Sequence, residues 1–364
     1  MSAPDFTPWL EWGAYSLDAA AKSAALSAAL RELTQWHAGQ CPEYARILAL
    51  QGAEDASAVG LAGVPYLPVR LFKEFDLLSV ERSQVFKTMT SSGTSGQQVS
   101  RIYLDKETAA WQTKILTRLM GTVLGKKRLP MLVIDSPSVL RDRAAFSARG
   151  AGILGFSLFG QDVTYALNER MELDLGLVQA FLERHAGKPI FIFGFTFMIW
   201  QHLVLPLRKM NQRLAIAGGI VLHGGGWKKL QDLAVGNEDF RRALQECAGV
   251  EQVVNYYGMV EQTGSIFLEC EQGHLHASIY SDVLVRRPGD FSLADVGEEG
   301  LIEVLSLAPR SYPGHALLTE DLGAVLGEDD CPCGRLGKYF KVSGRVARAE
   351  ARGCSDTYAY EAHV

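Results

Sequence analysis

Apolar and polar positions follow two different rhythms along this chain, and the change between them falls near residue 269. From Leu17 to His37 an alanine-rich stretch repeats its apolar residues at helical spacing, with Asp18 near its start and Gly39 past its end. It is expected to pack outside the main core. Gly60 to Pro68 is a loop punctuated by glycine and proline, after which Val69 to Leu78 leads on and Asp105 to Leu124 reads as a helix. Short continuous apolar runs then appear at Leu129 to Ile134, Ile190 to Phe193, Ile220 to Leu222 and Val250 to Val254. They alternate with helical stretches near Asp174 to His185 and Trp227 to Cys247. Unbroken apolar runs separated by helices predict an α/β fold with covered parallel sheets, because strands buried on both faces lose the in-out alternation. Beyond Glu269 the pattern becomes strand-like, at Leu275 to Arg286, Leu301 to Leu307 and Ala316 to Leu326. The expected division is an α/β core with an N-terminal helical region over 1–268, a smaller β-rich subdomain over 269–343, and a short tail over 344–364.

Composition narrows the class. The chain has 364 residues, 48% of them hydrophobic, enough to bury a large core. Its net charge of -5 offers no basic face to a nucleic acid, and Lys126-Lys127-Arg128 and Arg141 to Arg143 are only local clusters. The most apolar segment, Pro189 to Trp200, is too short and too interrupted by glycine to span a bilayer. A cytoplasmic protein with no membrane span is expected. Six irregularly spaced cysteines without an export signal do not form a disulfide framework. Cys41 and Cys247, in helical contexts, read as buried thiols.

Four segments carry chemistry. Ser91, Ser92, Gly93, Thr94, Ser95 and Gly96 form a run of hydroxyls and glycines that suits phosphate, since glycine lets backbone N–H groups face an anion and the hydroxyls add donors. A flexible turn has the same composition. Val221-Leu222-His223 runs into Gly224, Gly225 and Gly226, where a backbone can approach a planar ring. Tyr257 and Gly258 can flank a flat base, and Glu261, three residues on, is placed to hold magnesium among phosphate oxygens. Asp321 ends a short apolar run and can accept ribose hydroxyls.

In this order the segments resemble the adenylate-forming enzymes, and within them the LuxE-like acyl-protein synthetases, with phenylacetate-CoA ligases as nearer cousins than the acyl-CoA synthetases. The resemblance rests on Thr90 to Gly96 running into Ser100 to Asp105, on His223 to Lys228, and on Gly344-Arg345 through Arg352 to Thr357. It implies an ATP-dependent ligase with a large N-terminal adenylate-forming domain and a C-terminal domain truncated to a short tail. Residues 91–96 would hold the β- and γ-phosphates, Glu261 would carry magnesium, Tyr257 would flank the adenine opposite Gly224 and Gly225, Asp321 would bind ribose, and Arg345 would reach ribose or phosphate. Phe193, Gly194, Phe195 and Thr196 would border a fatty acid or other carboxylic acid, with plain core packing as the competing reading. Two departures stand out: Gln97 and Gln98 replace the lysine most members carry after the loop, leaving Arg101 as the first cation, and only nineteen residues follow Arg345.

Cys354 offers an acyl acceptor. Its thiolate can attack a mixed anhydride, and Arg352 favours ionisation; in LuxE-like proteins a cysteine at this place receives the acyl chain and presents it to a partner reductase. Other readings stay open. The adenylate could pass to CoA, a carrier-protein thiol or an amine, or the chain could be a non-catalytic nucleotide-binding scaffold. Cys270, His276, Cys331 and Cys333 supply four ligands of the types a structural zinc uses, with His274 a rival for His276 and a metal-free Cys-Pro-Cys-Gly turn the alternative.

Overall fold

The apolar runs between residues 129 and 257 form one parallel sheet in the computed structural model, which describes residues 3–53, 60–91, 99–140, 148–227 and 234–346. Its strands lie in the order Gln252–Tyr257, Gly219–Gly224, Ile190–Phe195, Leu129–Val133, Gly160–Tyr165, each parallel to its neighbour. Every residue of Ile190–Phe195 and of Leu129–Val133 is buried, as expected where helices cover both faces. The edge strand Gly160–Tyr165 was not anticipated, because only Gly160 in it is buried and the rest reads as polar chain. Helix Leu175–Arg184 begins where the Asp174 carboxylate accepts the Leu177 N–H, and helix Asn237–Ala248 ends at Gly249 in the left-handed conformation.

The described residues divide into two compact units. Val123–Tyr257 is one, and the chain up to Thr122 together with that from Gly258 onward is the other. This differs from the division at residue 268: the first 122 residues pack with the β-rich stretch, which supplies their core. That stretch forms an antiparallel array in the order Ser281–Arg286, Gly300–Ser306, Ala316–Glu328, Lys338–Arg345, Leu275–His276, Phe267–Glu269. Leu67–Pro68 joins it parallel to Leu317–Leu318, and Lys87–Thr90 pairs with Arg101–Leu104 as a separate hairpin.

The N-terminal helix runs Ala19–Gln40, through Gly39 rather than stopping before it. It is not peripheral to the core. Leu26, Leu30 and Leu33 are fully buried, the Trp36 indole donates to the Arg310 carbonyl at 2.9 Å, and Lys22 is buried against Asp282. Alanines on its outer face made it read as detached, whereas its stripe of Leu26, Leu30 and Leu33 is fully buried. Cys41 and Cys247 are buried free thiols. No helix among the described residues is long and apolar enough to cross a membrane.

Candidate active site

In the unit formed by the chain up to Thr122 and that from Gly258 onward, a hairpin and a tight turn present the polar groups. Ser91 and Ser100 close the hairpin: the Ser91 N–H donates to the Ser100 carbonyl at 3.1 Å and the Ser100 N–H donates to Ser91 Oγ at 2.9 Å. Ser92, Gly93, Thr94, Ser95 and Gly96 lie outside the described residues, as does Cys354. Arg101, the first cation after the loop, is engaged elsewhere. It pairs with Asp76 at 2.8 Å, and the same carboxylate takes Arg82 and the Tyr103 hydroxyl.

Glu261 sits in the turn Val260–Gln262 with 6% of its surface exposed. Burial raises its carboxyl above the ordinary glutamate range, while the Ser100 hydroxyl, Lys73 and Arg345 pull it back. The turn itself is held from three sides. The Tyr312 hydroxyl donates to the Glu261 carbonyl at 2.7 Å, and the Gln262 side chain donates to the carbonyls of Gly314 and Val304. A buried carboxylate on a pinned backbone, with its charge opposed by desolvation, is suited to a divalent cation. Asp321 and Arg345 face each other across adjacent strands and form an ion pair of 2.7 Å. The two residues expected to act separately on ribose and phosphate are therefore partners, a relation that only strand register reveals.

In the other unit, the predicted glycines end a parallel strand. A Cβ on Gly224 would lie 2.7 Å from the Tyr256 carbonyl oxygen, and one on Gly225, whose φ is +78°, would lie 2.5 Å from Phe195 Cδ1. The close approach requires glycine, and the planar groups received are protein rings. Thr196 places its hydroxyl 2.9 Å from His223 Nδ1 and 3.1 Å from the Gly224 carbonyl, which it can only donate to. His223 is buried and held neutral, its pKa lowered to about 3 by desolvation. Phe193 is fully buried against Phe156 at 4.7 Å between centroids, and Gly194 is closed in by Ile199 and Ile134. Tyr257 closes strand Gln252–Tyr257 half-buried, and Gly258 follows it.

One pair was missed. Asp135, two residues past strand Leu129–Val133, meets Arg149 at 2.9 Å with both side chains buried. An acid ending an apolar run is the signal that singled out Asp321, which the structure places within strand Ala316–Glu328, whereas ligand crevices of open α/β sheets lie at carboxyl ends such as that near Asp135.

Cys270, His276, Cys331 and Cys333 converge, their ligand atoms all within 4.8 Å of one another. Cys270 follows strand Phe267–Glu269, His276 ends Leu275–His276, and the other two lie on the turn before Lys338. Arg335 N–H donates to Cys333 Sγ at 3.4 Å, and Gly334, at φ +77°, gives its N–H to the Cys331 carbonyl. Three sulfurs and one imidazole fit a closed tetrahedral zinc. His274 lies beside the set, 3.5 Å from Cys331 and stacked on Tyr339.

Solved structures share this architecture. An open conformation of 2-hydroxyisobutyryl-CoA ligase in complex with 2-HIB-AMP and CoA superposes with a TM-score of 0.71, covering 94% of this chain and 80% of that one at 18% identity. The same enzyme in the thioesterification state gives 0.69, covering 91% and 69%. The fold is that of the adenylate-forming ligases. The profile of the family "Acyl-protein synthetase, LuxE" matches residues 14–362, and the chain belongs to that family of ligases. Two relatives are each named long-chain-fatty-acid–luciferin-component ligase. That of Vibrio harveyi is 25% identical over 309 residues, 81% of this chain and 77% of the relative. That of Aliivibrio fischeri is 24% identical over 341 residues, 90% and 85% respectively.

Proposed function

We propose that this acyl-protein synthetase activates a fatty acid with ATP and magnesium and moves the acyl group to Cys354 as a thioester, for delivery to a partner reductase in the cytoplasm. The observation that carries the reading is Glu261: a buried carboxylate on an immobilised turn, beside the Ser91–Ser100 clasp that closes the phosphate-type loop.

In the first step a carboxylate oxygen of the fatty acid attacks the α-phosphorus of ATP and the bond to pyrophosphate breaks. Residues 91–96 would cradle the leaving phosphates and Glu261 would hold magnesium, which neutralises phosphate charge when bound. Asp321 and Arg345 would serve ribose and phosphate, Tyr257 and Gly258 with Gly224 and Gly225 the adenine, and Phe193 to Thr196 the acyl side. In the second step the Cys354 thiolate attacks the acyl carbon, forming the C–S bond as AMP leaves with the electrons of the broken C–O bond. Cys270, His276, Cys331 and Cys333 would hold a structural zinc that takes no part in either step.

Intact-mass spectrometry after incubation with ATP, magnesium and a panel of fatty acids tests this. The wild type should gain one acyl mass, and Cys354→Ser should keep acid-dependent pyrophosphate exchange while losing that mass. Undiminished labelling of the variant would place the acceptor elsewhere. AMP release only on adding a thiol or amine would favour the alternative ligase, and absence of exchange with every acid would leave only a nucleotide-binding scaffold.

A further inference from the structure

We propose that the metal at Cys270, His276, Cys331 and Cys333 is the staple that fastens the N-terminal segment, Ala14 through Lys22, onto the antiparallel strands. This inference rests on the zinc reading above and adds to it what the metal holds in place.

The contacts of this segment gather on the two pieces of chain that carry the ligands. On the turn bearing Cys331 and Cys333, the Leu336 N–H donates to the Tyr15 carbonyl at 3.3 Å. Asp329 bridges turn and helix, accepting the Gly337 N–H at 2.6 Å with one oxygen and the Ala19 N–H at 2.7 Å with the other. Just after His276, the Ala277 carbonyl accepts Lys22 Nζ at 3.1 Å, and the Ile279 N–H donates to the Ala14 carbonyl at 2.8 Å. Lys22 completes the contact with a buried ion pair to Asp282 at 3.3 Å.

Tyr15 stands between these pieces. Its ring is edge-on to His276 with centroids 6.1 Å apart, and the Arg335 guanidinium lies 4.8 Å over it, while the Arg335 backbone N–H is given to Cys333. Two buried polar atoms here have no hydrogen-bond partner among the described residues, the Tyr15 hydroxyl and His276 Nδ1. His276 turns its other nitrogen, Nε2, toward Cys333 at 3.4 Å, the orientation of a ligand whose remaining N–H awaits an outer partner. Gly337 adopts φ +87°, and a Cβ there would lie 3.2 Å from Lys22 Nζ, so the turn is shaped to the segment it receives.

A metal joining residues 270 and 276 to 331 and 333 closes a long loop, and its binding free energy becomes folding free energy for whatever the closed loop supports. Without it, the turn keeps the packing of Cys270, Cys331 and Tyr339 and its hydrogen bonds but loses its cross-link, and the N-terminal segment a firmly held surface.

Zinc content by mass spectrometry, combined with hydrogen exchange before and after chelation of the full-length protein, tests the proposal. One zinc per chain is expected. Its removal should speed exchange of amides 14–22 at least tenfold, while peptides from strand Ile190–Phe195 keep their protection. His276→Ala, purified without zinc, should show the same local pattern. Stoichiometric zinc whose removal leaves 14–22 unchanged refutes the staple, as does a rise of equal size in strand Ile190–Phe195. Absence of zinc from fresh and zinc-titrated protein overturns the metal reading itself, leaving the ligase assignment untouched.

Discussion

Gly225 shows how single positions here answer to geometry. Its φ of +78° costs an L-residue about 1–2 kcal/mol, and an added Cβ would meet the Phe195 ring at 2.5 Å. Gly225→Ala should lower unfolding stability by about 2–4 kcal/mol, read as a reduced urea midpoint at unchanged slope. A midpoint equal to wild type would mean the ring simply yields. At this scale residue types were legible before residue relations. The hydroxyl-and-glycine run at 91–96, Glu261, Asp321 and the three cysteines stand out by composition and spacing as candidates. The Asp321–Arg345 pair did not, because 24 residues and a strand register separate its members. The pairing of Arg101 with Asp76, 25 positions away, was hidden for the same reason.

Among elements, the parallel strands were the most readable, because burial on both faces leaves an uninterrupted apolar run. Strand Gly160–Tyr165, buried at one residue, carried no such mark. The N-terminal helix was visible by period and by cap, yet its burial was not, since a stripe of leucines looks alike whether it meets the core or a neighbour. Its start is fixed by two carboxylates: Asp18 Oδ1 accepts the Ala21 N–H at 2.8 Å, and Asp329 accepts the Ala19 N–H. Asp18→Ala should therefore cost only ~1 kcal/mol, the usual worth of one cap, with the second carboxylate still in place. Urea titration of the variant would check it, a loss above ~2 kcal/mol showing that Asp18 does more than cap.

For the molecule as a whole, buried histidines set a pH limit. His37 and His315 stack with ring centroids 5.0 Å apart in the unit that includes the N-terminal helix. Burial, and for His37 the neighbouring His315, pushes both below the ordinary value, His315 to about 3. His223 in the other unit is lowered to about 3 by burial. The unfolded chain protonates each near pH ~6.5 and the folded chain does not, so stability is fully present above that value. It should fall by roughly 1 kcal/mol per histidine per pH unit as pH drops from ~6.5 toward the folded values. Urea midpoints at pH 8, 7, 6 and 5 would reveal the slope, and a flat profile below pH 6 would contradict it. The pairing of the first 122 residues with those from Gly258 onward has a further consequence during synthesis. Helix Ala19–Gln40 leaves the ribosome early, but the carboxylate of Asp329 that receives its first turn lies 310 positions later. At translation speeds of ~5–20 residues per second, roughly 15–60 s separate that helix from the carboxylate at its first turn, while Val123–Tyr257, continuous in sequence, is already able to close on itself.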